Sequence, residues 1–376
     1  MTDDGAALLD SIEIRGVPIP RRLGTADAIP FEKAMEFSGM IEESIWGHRD
    51  TWLGPETSLP EYRPSAFTWR MPLAAWRGDE VVGRAIVRYE LNDDARTAFV
   101  YVSSHPALRG RGLGSRLLAE TERIAVSAGR TSLNSYSDHP LASLSGVDET
   151  VPRLAASVGA AVIPETDPSA RFAMKHGYTL AQIERVSVFD LSNGEHGLPA
   201  VQGELARAVQ HAGDRYELLT WGSETPEEYI DSYAEANSHM ATDAPAADLE
   251  IDTETWTADR VREHESEAEE AGMELLRVAV RDRTDASIAA YSELELPAEH
   301  PNLAYQADTI VLAAHRGHGL GMLMKAANLV SLAEVAPARR RVYTWNADEN
   351  EHMLRINHQL GFELIGYSAA WQKTLD

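Results

Sequence analysis

The stretch Leu108-Arg109-Gly110-Arg111-Gly112-Leu113-Gly114 recurs 207 residues later as His315-Arg316-Gly317-His318-Gly319-Leu320-Gly321. Each copy follows a short extended run, Thr97 to Ser103 in the first and Asp308 to Leu312 in the second, and each leads into a helical pattern. A strand, then Arg-Gly-x-Gly-Leu-Gly, then a helix can hold a phosphate without a metal. The N–H groups of the loop converge at the positive end of the helix, and glycines let the backbone approach an anion closely. The Walker pattern is excluded, because Gly114-Ser115-Arg116 and Gly321-Met322-Leu323 stand where Gly-Lys-Ser/Thr is needed.

Outward from the loops, the flanks also correspond. Ser11 to Gly16 reads as a strand, Pro30 to Trp46 as a helix, and the sequence around Gly78-Asp79 as a hairpin. Their counterparts are Tyr216 to Trp221, Pro226 to Ala236, and a hairpin turning at Asp282 to Asp285. A charged helix over Glu263 to Ala271 precedes that second hairpin. A repeat of this length is a duplicated domain rather than a solenoid. The expected organisation is a first unit over residues 1–200, a linker over 201–212 and a second unit over 213–376. Apolar residues recur at helical spacings from Leu198 to Val209, so the units are expected to pack as one internal pseudo-dimer, as a monomer.

Composition narrows the function. Of 376 residues, 34 are Lys or Arg and 59 are Asp or Glu, a net charge of −25 that repels phosphate backbones and argues against nucleic acid as a partner. The absence of cysteine excludes disulfides, thiolate metal sites and cysteine nucleophiles. No histidine–carboxylate cluster accompanies His315 and His318, so no metal is implied. The acidic start MTDDGAALLD has no signal-peptide pattern and no run is long enough to span a bilayer, which points to a cytoplasmic protein without membrane contact.

With these motifs, each unit resembles a domain of the GNAT superfamily of acetyl-CoA-dependent N-acetyltransferases, and the pair resembles the two-unit actinobacterial acetyltransferases of the mycothiol synthase type. The resemblance implies two α/β domains, each a mixed, mostly antiparallel sheet flanked by helices. It implies that coenzyme A is held at Arg109, Gly110, Arg111, Gly112 and Gly114, and at Arg316, Gly317, His318, Gly319, Leu320 and Gly321. It further assigns carbonyl polarisation to a backbone N–H near Val311, or near Ser104 in the first unit, and cofactor contacts to Asn346 and Asn350.

The usual base positions hold Tyr305 and Ala307 in the second unit and Ala98 and Val100 in the first. Candidates for a base are therefore Glu293 or Glu295 on the neighbouring strand, Tyr305, His239, or a chain of waters. The family's acidic tyrosine is replaced by Asn357 and Ala173. The first unit lacks both asparagines, reading Ile163-Pro164-Glu165-Thr166, and Pro164 removes a donor where the strand should offer one, so catalysis is expected in the second unit and the first is expected to be degenerate. Asp243, Asp248, Glu250, Asp252 and Glu254 are expected to overlie the second unit's acceptor side and to draw in a cation. The function implied is acetyl transfer to the amine of a small metabolite. The alternatives are a coenzyme-A-binding protein without catalysis and a scaffold that has lost its ligand.

Overall fold

The computed structural model describes residues 9–92, 94–240, 245–253 and 255–375. In the first unit, strand β1 (Glu13–Gly16) is followed by helix α1 (Ile29–Trp46) and by the hairpin β2 (Thr68–Arg77) and β3 (Glu80–Glu90). Then come β4 (Thr97–Ser104), α2 (Leu113–Ser127), β5 (Ser132–Pro140), a small ribbon of β6 (Arg153–Ala155) and β7 (Val162–Pro164), α3 (Pro168–Lys175) and β8 (Thr179–Asp190). After α4 (Leu198–Ala212) the second unit runs β9 (Tyr216–Trp221), α5 (Ile230–Ser238), α6 (Ala258–Glu270), β10 (Met273–Asp282), β11 (Ile288–Pro297) and β12 (Leu303–Val311). It ends with α7 (Leu320–Val335), β13 (Arg341–Ala347), α8 (Glu351–Leu360) and β14 (Glu363–Thr374).

Twelve strands form one sheet in the order β1-β2-β3-β4-β5-β14-β8-β13-β12-β11-β10-β9. Only β4/β5 and β12/β13 are parallel, because a parallel pair needs a crossover and α2 and α7 supply it. Both pairs then part. β4 and β5 are joined only over Thr97–Phe99 and Ser132–Asn134, and β12 and β13 only over Leu303–Gln306 and Arg341–Thr344. Each unit thus has a cleft in its sheet beside the glycine loop.

The sheet order contains an exchange. β14, from the second unit's sequence, lies against β5 of the first, and β8, from the first, lies against β13 of the second. Trp371 and Ala369 of β14 are buried with Leu118, Leu133 and Ala173, while Phe189 of β8 is buried with Leu329, Val342 and Phe362. Fully burying a side chain such as Phe189 contributes roughly 1.5–3 kcal/mol, so each core depends on a strand from the other half of the chain. The expected linker is part of α4, which packs Leu205 and Ala208 against Leu320 and Leu323.

The interface is reciprocal. After α1, Asp50 Oδ2 accepts hydrogen bonds from Arg341 and Tyr343, each at 2.5 Å, at the start of β13. After α5, Asp252 accepts from the Arg96 and Thr97 amides at 2.9 and 3.0 Å, at the start of β4. The expected acidic cover of the second unit is therefore corrected in part. Asp252 caps a strand of the first unit, and the Glu250 carbonyl accepts from Asn134 at 2.8 Å. Asp243 and Glu254 lie outside the described residues.

Candidate functional site

A cavity of about 960 Å³ passes through the cleft between β4 and β5. One end is the glycine loop. Gly110 and Gly112 have φ of +74° and +98°, a region costly for other residues, and a Cβ added at Gly110 would meet nothing within 4 Å. The first N–H groups of α2 have no acceptor within the helix, and Arg109, Arg171 and Lys175 line the same cavity. An open, basic cradle of this kind fits the pyrophosphate of coenzyme A.

The other end lies under α1, where Ile41, Ser44 and Ile45 meet Tyr101, Tyr136 and Asp138. Asp138 lines this end, and two further half-buried carboxyls, Glu42 of α1 and Glu184 of β8, lie close enough to feel its charge. Asp138 on β5 and Glu184 on β8 both stand opposite Ser368 of β14, so the three side chains share one face of the sheet. Burial raises Asp138 to about 6, while a hydrogen bond from Ser368 and the charge of His139 partly oppose the shift. Burial and the charge of Asp138 raise Glu42 to about 8, and burial with Asp138 and Glu349 raises Glu184 to about 7. Each ionised member disfavours the next, so near neutral pH the group titrates as a set. The cavity thus carries basic side chains at one mouth and the Asp138 carboxyl at the other.

The fifth strand of the first unit is Ser132–Pro140 rather than the stretch at Ile163-Pro164, which belongs to the separate β6–β7 ribbon. The reason given for degeneracy, a proline where that strand should offer a donor, therefore falls away.

The second unit's predicted residues are engaged elsewhere. Glu293 is buried, ion-paired with Arg277, and contacted by Tyr233 at 3.3 Å and His264 at 3.4 Å. Against the cost of burial, the Arg277 charge and the His264 contact hold it down to about 2, so its affinity for a proton is weak. Tyr305 donates its hydroxyl proton to the Asp50 carbonyl across the interface between the units, and burial pushes its ionisation far up. Glu295, by contrast, is raised to about 7 by burial and the Glu293 charge. His239 ends α5 with an exposed side chain. Asn350 caps α8 by accepting from the Met353 amide at 3.1 Å, and Asn346 accepts from Asn357 at 2.6 Å.

At the second glycine loop Arg316 donates to the Val311 carbonyl at 3.2 Å and His318 packs on Tyr216. Gly317 has open space beside it, but a Cβ at Gly319 would lie 2.7 Å from His211 of α4, and one at Gly321 would lie 2.9 Å from Ile356. Lys325 of α7 is fully buried, and desolvation lowers it to about 7.

Residues 41–140, from α1 through β5, match the acetyltransferase (GNAT) family. No curated protein matches the chain in sequence. A tandem GNAT protein from the clavulanic acid biosynthesis pathway, solved without acetyl-CoA, superposes with a TM-score of 0.70 at 22% identity over 96% of this chain and 98% of that one. A GCN5-related N-acetyltransferase from Sphaerobacter thermophilus gives 0.58 at 15% identity, over 97% and 96%. The architecture is accordingly two GNAT-like α/β domains packed as a tandem pseudo-dimer. No helix among the described residues is long and apolar enough to cross a membrane.

Proposed function

We propose that the protein is an acetyl-CoA-dependent N-acetyltransferase acting on the amine of a small cationic metabolite, and that the reaction takes place in the first unit. The observation that carries this reading is the cavity joining the Arg109–Gly114 loop to the Asp138 carboxyl beneath α1. Sequence motifs favoured the second unit. The first is preferred because its loop faces a cavity and its cleft holds ionisable groups, whereas His211 covers Gly319. Likeness to the mycothiol synthase type rests on the two-unit arrangement and adds no substrate.

Acetyl-CoA, when bound, supplies an activated acyl carbon. The loop amides of Gly110 to Gly114 and the Arg109 guanidinium would hold its phosphates, and the parted edge of β4 near Ser104 would offer a backbone N–H to the acyl oxygen. Asp138, lining the cavity with a carboxyl near neutrality, accepts the proton of the acceptor ammonium. Where Glu42 and Glu184 ionise, at and above about pH 7 to 8, they add negative charge near Asp138 that favours a cationic acceptor over an anionic one.

Calorimetry with acetyl-CoA tests the assignment. Wild type is expected to bind one equivalent, and Gly112→Glu to weaken binding at least about 100-fold, since a carboxylate would occupy the phosphate cradle. Unchanged affinity in Gly112→Glu would refute the placement in the first unit.

A further inference from the structure

The first unit lacks the family's acidic tyrosine, with Ala173 at that position on α3, yet the same cavity contains a serine held by two partners. Ser137 Oγ lies 2.8 Å from His139 Nε2 and accepts from Trp371 Nε1 at 2.8 Å. His139 is buried, and its Nδ1 stands 3.3 Å from Asp167 Oδ2. Asp167 is fixed in turn, because its other oxygen caps α3 by accepting from the Ser169 and Ala170 amides. Ser137, Asp167, Ala173 and Trp371 all line the cavity.

We propose that Ser137 is the proton donor to the departing thiolate, with His139, Asp167 and Trp371 as its positioning residues. This inference rests on the placement of acyl transfer in the first unit.

The hydrogen-bond inventory separates a donor from a nucleophile. A serine oxygen has one proton and two acceptor sites. The Asp167 carboxylate 3.3 Å from Nδ1 favours a proton on that nitrogen. When Nε2 is protonated as well, Ser137 accepts from both Nε2 and Trp371, and its own O–H is left to point into the cavity. As the carbon–sulfur bond of the tetrahedral adduct breaks, Ser137 Oγ gives this proton to sulfur and takes the one on His139 Nε2. His139 is left neutral, with its remaining proton facing Asp167, and recovers the second from solvent. The Trp371 N–H favours negative charge on Oγ, which makes the hydroxyl a better acid and a poorer nucleophile.

The charged and ionisable groups around this chain are Asp167 at the start of α3, Asp138 on the opposite face of β5, and Tyr101, Tyr136, Tyr178, Arg109, Arg171 and Lys175 along the cavity wall. Trp371 comes from β14, so the donor is held in place by a strand of the second unit's sequence.

The test needs no acceptor. Coenzyme A bound to the full chain is titrated with pH by the ultraviolet absorbance of its thiolate, and desulfo-coenzyme A binding is measured by calorimetry. Ser137→Ala is expected to raise the ionisation midpoint of the bound thiol by roughly 1–2 pH units, as the loss of one hydrogen bond to a charged group would. Ser137→Thr should restore it, and desulfo-coenzyme A should bind both variants as it binds wild type. Trp371→Phe, which keeps the ring and removes the N–H, should shift the midpoint in the same direction by less. A midpoint unmoved in Ser137→Ala with desulfo-coenzyme A still bound would overturn the proposal. Failure of wild type to bind desulfo-coenzyme A would instead overturn the underlying placement of the site, and is recognised from calorimetry alone.

Discussion

At the first glycine loop, Arg109 lines a cavity and the atom nearest a Cβ placed on Gly112 is a Leu9 methyl at 3.3 Å. At the second, Arg316 turns back to the Val311 carbonyl, and His211 stands 2.7 Å from the Cβ position of Gly319. Two nearly identical heptapeptides therefore meet different surroundings, and the difference comes from α4, the helix between the units. The ionisable groups diverge in the same way. In the first unit the lifted Asp138 carboxyl lines a cavity, whereas in the second the lifted Glu295 sits near Glu293, which Arg277 neutralises within a packed interior. A motif reports that a loop can bind an anion, and its neighbours determine whether there is room for one.

The strongest way to break this comparison is to remove the proton acceptor from each unit. Asp138→Asn is expected to lower kcat about 10²–10⁴-fold, and Glu293→Gln to change it less than about threefold, measured by thiol release with a cationic amine acceptor. In wild type the rate should rise with pH through the region of about 6 to 8 where Asp138 and Glu42 lose their protons, because a base acts only when ionised. A pH-independent rate, or equal losses in the two variants, would erase the distinction between the units.

The second unit should show its role in stability. Arg277 is fully buried between Glu265 and Glu293, and Arg277→Ala leaves buried charge without its partner, a cost of about 3–5 kcal/mol. Denaturant unfolding would read this loss. Glu293 itself, held from 4.5 down to about 2, contributes stability that is complete above its unfolded value. That contribution is lost as pH falls through about 2. The smallest effect is expected at the seam. Asp252→Ala removes acceptors for the Arg96 and Thr97 amides at the start of β4 and should cost about 1–2 kcal/mol.

Much of this was legible in the chain. The paired loops, the hairpin at Gly78 and the division into two halves follow from glycine positions and from apolar periodicity, and the resemblance of the loops to the GNAT motif implied the fold of each half. β5 of the first unit was not, because SLNSYSDHP lacks apolar alternation. Several of its side chains line a cavity instead of filling a core, so its polarity was itself the mark of the site. Glu42 reads as one more surface carboxylate on a helix until β5 is placed beneath it. The exchange of β8 and β14 also escaped, since alternation shows which face of a strand is buried and not which strand lies beside it.

That exchange sets an order of events on the ribosome. A duplicated chain invites the picture of two halves folding in turn, the first finished while the second is still being made. Here β5 has no second neighbour until β14 is synthesised, after every other element of the second half. Until then β5 is an open edge, the surface most prone to pairing with another chain. The first half to be translated is thus among the last to be completed, and its cavity acquires Trp371 only at that moment.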